Sequence, residues 1–278
     1  MSIFRRLAQN LHGPRCHLEA DEKAWIERRL IWLKEQFGPE PMRRAPLDPT
    51  SPLLPKKWDA SYEAGADLFQ RLCGFMQVDP ARVQLDFYSK DELHEVGSPH
   101  AGALESSGPA GLYYDTQNNQ KLTIALEESG LVRPASLAAT ICHELAHVHL
   151  LADQRIARDE EDSEPLTDLL TVYFGAGILT ANSAFQFNQW ADGKMQGWNA
   201  SRQGYLTEAQ FGFSLAGYSW YRGDNAAVWR KHLRENIAYY FDDSMHFLST
   251  TRDTPIPFDG AGESSQQPSV PTIPPAQL

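Results

Sequence analysis

Apolar and charged positions first fall into register at residues 21–37, DEKAWIERRLIWLKEQF. Trp25, Ile26, Leu30, Leu33 and Phe37 recur near helical spacing among charged neighbours, which predicts a helix that Gly38-Pro39 stops. Residues 38–55 contain six prolines, which favours an extended connection and marks a candidate internal boundary. A second helix is expected over roughly 59–76. The period then changes: Val83-Gln84-Leu85-Asp86-Phe87-Tyr88 alternates as a strand does. A loop at 94–110, rich in Gly, Ser, Pro and His, precedes 111–115. With the turn-like 116–120 between them, 111–115 and 121–126 are expected to form a hairpin.

Pro134 then opens a helix reaching about residue 150, since proline suits a first helical turn. Leu137, Ile141, Leu145 and Val148 form its apolar stripe. Further helices are expected near 165–180, 205–222 and 224–249, and no internal repeat is visible. The last residues, 251–278, are rich in Pro, Ser and Gln and are expected to be disordered. The expected division is 1–55 as N-terminal helix and connection, 56–250 as the main domain, and 251–278 as tail.

Composition narrows the function classes. Of 278 residues 42% are hydrophobic, enough for a packed core of one or two domains. The 25 basic and 36 acidic side chains leave a net charge of -11, without a dense basic patch, so nucleic acid is not an expected partner. Cys16, Cys73 and Cys142 are few, odd in number and distant, which disfavours a disulfide framework or a thiolate zinc knuckle. The N-terminal basic residues lead into no apolar stretch, and no window approaches the roughly 18 apolar residues of a membrane span. A soluble, cytoplasmic protein with no membrane partner is the expectation.

The candidate chemistry lies at His143-Glu144-Leu145-Ala146-His147. Two histidines four residues apart project from one side of a helix, here opposite the apolar stripe, and can grip one metal ion. Glu144 lies about 100° around, able to flank the open metal position as a base without being a ligand. Glu164 and Asp168, again four apart, share a face of the next helix. Glu164 is the expected third ligand, with Asp168 or Glu161 as substitutes. Asp168 is otherwise expected to accept a hydrogen bond from the far nitrogen of a liganding histidine, most readily His143. The acidic run 159–164 also suits a helix N-terminus, but that leaves Asp168 unexplained among Leu166, Leu169, Leu170 and Tyr173. His149 points away from the ligand direction, and Cys142 reads as a small buried residue. His94 and His100 lie in the loop before the hairpin and could approach the site, though nothing in the sequence requires it.

HELAH at 143–147 followed by ExxxD at 164–168 resembles the gluzincin branch of HExxH zinc metallopeptidases, over about residues 83–182. The resemblance implies a compact, minimal α+β, zincin-like fold. In it a small sheet packs on the motif helix and a second ligand-bearing helix, with additional helices on both sides. It also implies an edge strand that pairs with an extended polypeptide substrate. The family commonly uses a downstream Tyr or His to stabilise the oxyanion; Tyr205, Tyr218, Tyr221, His232 and His246 are the candidates, although the aromatics among them also suit core packing.

The expected function is that of a Zn2+-dependent hydrolase, a peptidase by resemblance, with Glu144 as general base and His143, His147 and Glu164 as ligands. The alternatives are a zinc-containing binding or regulatory module with little turnover, and a metal hydrolase of non-peptide amides or esters.

Overall fold

The computed structural model describes residues 13–89, 111–114, 122–191, 206–224 and 227–260, with 111–114 and 185–191 described by backbone alone. The expected turn at 116–120 and the residues His94, His100 and Tyr205 lie outside the described residues, as does 261–278.

Helix α1 (Ala20–Phe37) buries Ile26, Leu30 and Leu33 and ends at Gly38, whose φ of 73° favours glycine. Each such side chain contributes about 1.5–3 kcal/mol, large against a domain stability of about 5–15 kcal/mol. The N-terminal helix is therefore an integral layer of the fold. Nor does the proline-rich stretch separate two cores. It holds the one-turn α2 (Glu40–Arg43), and Met42, Leu47 and Leu54 join the same apolar cluster as α1. Its backbone is fastened as well: Leu47 N–H donates to the Gly175 carbonyl at 2.7 Å, and the Tyr218 hydroxyl donates to the Arg44 carbonyl at 2.6 Å. Proline-rich backbone offers few donors, so a handful of such bonds lets it dock on the core without a ladder.

Helix α3 (Tyr62–Met76) starts at Ser61, whose side chain accepts from Ala64 N–H. Three strands follow, β1 (Val83–Tyr88), β2 (Gly111–Tyr114) and β3 (Leu122–Glu127), in the order β1-β3-β2. β2 and β3 form the antiparallel pair expected of a hairpin, with Gly111 opposite Leu126. β1 lies parallel to β3 on its other side, with Val83 opposite Leu122.

Helix α4 (Pro134–His147) carries the HELAH motif and widens into a π-type turn at Val148–Ala152. Helices α3, α5 (Ser163–Tyr173) and α6 (Gly177–Ala191) and strand β2 all pack on it. Every residue from Leu137 to His147 is consequently buried, the polar side as well as the apolar stripe. The single helix expected over 165–180 is two. Gly175, at φ 90°, breaks it, and a Cβ there would stand 3.0 Å from the Tyr218 hydroxyl.

Helix α7 (Glu208–Arg222) begins at a capping box of Thr207 and Gln210. The segment expected as one helix over 224–249 instead turns through a short 3-10 helix at Val228–His232 before α8 (Glu235–Thr251). Residues 252–260 are not a disordered tail. Ile256 is buried, its carbonyl accepts from Trp220 Nε1 at 3.0 Å, and Asp259 N–H donates to the Tyr221 carbonyl at 2.8 Å. Composition hid this because one buried isoleucine and borrowed partners suffice to dock so short a segment.

The architecture is thus a mix of helices and a small three-stranded sheet, with α3 packed against β1 and α4 against β2, an arrangement compatible with α+β. No described helix is long and apolar enough to cross a membrane.

Candidate metal centre

Helix α4 supplies two imidazoles and α5 a carboxylate, and the three meet. One donor atom each of His143, His147 and Glu164 lie within 4.8 Å of one another, so the cluster is placed to hold a metal ion. The closest approaches are 3.3 Å from His143 Nε2 to Glu164 Oε2 and 3.6 Å from His147 Nε2 to Glu164 Oε1. Ligand atoms held tetrahedrally at about 2.0–2.2 Å from a zinc ion stand about 3.3–3.6 Å apart. The two approaches, made by different oxygens of Glu164, fall in that range, and the donor set is one that could hold a metal ion.

Glu164 reaches this position although proline follows it. A residue before proline resists the α region. At Ser163–Tyr173, however, Glu164 and Pro165 occupy the first turn, where backbone N–H groups have no intrahelical partner for proline to forfeit. Glu161 is exposed and lies outside the cluster.

The same helix fixes both imidazoles from behind. His143 Nδ1 donates to Asp168 Oδ1 at 3.0 Å, which leaves Nε2 facing Glu164. Thr167 Oγ1 donates to the Ser163 carbonyl at 2.8 Å, so its lone pair is turned to accept from His147 Nδ1, 3.4 Å away. The sequence pattern does not single out Thr167. Its signal was position alone, three residues after Glu164 on the same helical face. Asp168 is buried, and its second oxygen accepts from Leu206 N–H at 3.0 Å. Two partners offset part of the desolvation that a lone carboxylate would suffer there.

Charges within the cluster are set against each other. Burial favours neutral His143, yet the carboxylates of Asp168 and Glu164 outweigh it and hold the imidazole well above its ordinary range. For Glu164 burial is likewise opposed, by the hydrogen bond from His143 and the positive charge on that imidazole, and its carboxyl is held down at about 2. Burial pushes His147 down to about 4, which keeps it neutral, and pushes Asp168 above the usual carboxylate range. Glu144 is buried beside the cluster, close enough for His143 and Glu164 to act on it. Desolvation raises its carboxyl to about 7, and Oε2 has no hydrogen-bond partner among the described residues. The group is thus a neutral-range carboxyl next to a set of metal donors.

Other candidates lie elsewhere. His149 is a core histidine, with Nε2 2.6 Å from the Met76 carbonyl, Nδ1 3.6 Å from Asp153 Oδ2 and its ring stacked on Phe174. Cys142 is fully buried. Tyr218 is committed to Arg44, Tyr221 lies under Lys34, His232 faces Asp48 at 3.9 Å, and His246 neighbours Thr250 within α8. No contact described for these four reaches the cluster. No protein-family model, curated protein or solved structure matches this chain.

Proposed function

We propose that the protein is a zinc-dependent hydrolase and that its substrate is a peptide. The observation carrying this reading is the convergence of His143, His147 and Glu164 beside a buried, unliganded Glu144. Two imidazoles and one carboxylate would hold Zn2+ and leave its fourth position open, the ligand set of a catalytic rather than a structural site. Zinc bound there supplies Lewis acidity, lowering the pKa of water and polarising a carbonyl.

Glu144, with a carboxyl near neutrality, accepts the proton of the attacking water and returns it to the leaving amine. Asp168 and Thr167 hold the two imidazoles in the tautomer that turns Nε2 toward the donors. The zincin-like fold belongs to the same proposal. It draws support from the small sheet packed on the motif helix, and from β2, an edge strand among the described residues, lying against α4. An exposed edge offers main-chain hydrogen bonds, which suits an extended peptide.

The test is cleavage of a mixed-sequence peptide library by wild type and Glu144→Gln. Zinc-dependent cleavage by wild type alone supports the reading. Zinc retention without cleavage by either would favour a binding module, and cleavage confined to non-peptide amides or esters would move the substrate class.

A further inference from the structure

Asp162 sits at the N-cap of α5, where an aspartate ordinarily accepts from the backbone N–H of the first turn, yet its side chain makes no such bond. One reason is local: the third residue of the helix is Pro165, which has no N–H to offer. The carboxylate is instead engaged from across the fold by α1. Arg29 grips both oxygens, Nε at 2.8 Å from Oδ2 and Nη2 at 2.7 Å from Oδ1, and Trp25 Nε1 donates to Oδ2 at 2.6 Å. The same Nη2 reaches Glu160 Oε1 at 2.9 Å, and the guanidinium lies over the Trp32 ring. Two-point Arg–carboxylate contacts fix orientation as well as distance.

Asp162 is two residues before Glu164, at the end of the turn-rich segment that links the two histidines to α5. We infer that Arg29, assisted by Trp25, is a positioning residue for Glu164: the first helix clamps the N-terminus of α5 so that its carboxylate meets His143 and His147. The inference rests on the metal reading above and assigns the N-terminal helix a part in building the site. Lysine is no substitute in this role, because it keeps the charge and loses the fork.

The experiment is titration of the metal-stripped full chain with Zn2+, in wild type, Arg29→Ala, Arg29→Lys and Trp25→Phe, each with and without Glu164→Ala. Arg29→Ala is expected to weaken zinc binding by at least about tenfold, as loss of ligand support does. Arg29→Lys should recover little of this, and neither change should matter once Glu164→Ala has removed the group being positioned. Equal affinity in wild type and Arg29→Ala, full recovery by lysine, or the same loss in the Glu164→Ala background would overturn the inference while leaving the metal site standing. A wild type that takes up no Zn2+ overturns both. Should Arg29→Ala fail to fold, Trp25→Phe carries the same test, since it keeps an aromatic ring and removes one donor to Asp162.

Discussion

His143 Nδ1 and Asp168 Oδ1 stand 3.0 Å apart, one at the end of α4 and the other one turn beyond Glu164 on α5. The contact joins the helix that carries the two imidazoles to the helix that carries the carboxylate. Its other oxygen ties in the chain just before α7 through Leu206 N–H. One buried aspartate thereby sets both a ring orientation and the seating of a neighbouring element.

Asp168→Ala is therefore expected to have two separable effects. Zinc affinity should fall about ten- to a hundredfold, because His143 loses the partner that fixes its tautomer. Stability should fall by about 1–3 kcal/mol from the Leu206 N–H left buried without an acceptor. Zinc titration and denaturant unfolding of the metal-stripped protein measure the two. Unchanged zinc affinity in a folded variant would contradict the role given to Asp168.

Glu144→Gln should leave zinc content at the wild-type level, since Glu144 is not among the donors. It should slow peptide cleavage by about a hundred- to ten-thousandfold, the usual contribution of a positioned general base. Initial rates on the best library peptide decide this, and a variant within a few-fold of wild type would assign the base elsewhere.

Zinc binding should release about one proton over the mildly acidic to neutral range. In the metal-free protein Asp168 and Glu164 keep His143 protonated, whereas burial keeps His147 neutral down to about 4 and Glu164 stays ionised down to about 2. Zinc competes with the His143 proton, so affinity should rise about tenfold per pH unit as pH increases from about 4 toward the His143 value. Below about 4 His147 protonates too, and the slope should steepen. The measurement is best made in Glu144→Gln, which removes the carboxyl that titrates at about 7. Calorimetry in buffers of different ionisation enthalpy counts the protons; a pH-independent affinity over about pH 5–7 would contradict the charge arrangement.

Gly212→Ala should destabilise the fold without touching the site. A Cβ at Gly212 would collide with Tyr240 Cβ and stand 2.9 Å from the Phe241 backbone nitrogen, where α7 and α8 cross. Overpacking of this kind costs about 1–3 kcal/mol. The melting temperature should drop while zinc stoichiometry below the transition stays the same.

Much of the candidate site was legible because its spacing is local. His143 with His147, and Glu164 with Asp168, are pairs four residues apart, and helical geometry alone puts each pair on one face. The antiparallel pair of β2 and β3 was readable for the same reason. What escaped depends on distant partners. Arg29 and Asp162 are separated by 133 positions, and nothing in the local pattern around either points to the other. The parallel pairing of β1 with β3 is another long-range choice. Gly175 divides an apolar run that reads as continuous; its φ is 90°, and a Cβ there would meet the Tyr218 hydroxyl of a distant helix. By composition the proline-rich stretch reads as a connection and residues 252–260 as part of a disordered tail, yet a few buried side chains and hydrogen bonds to α7 suffice to dock them.

Metal analysis of the purified full chain beside its His143→Ala, His147→Ala and Glu164→Ala variants tests the central claim most directly. The account predicts about one zinc per wild-type chain and a sharp loss in each variant, with folding retained, as expected when one donor of three is removed. Equal metal content in all four proteins, or none in wild type after zinc loading, would contradict it.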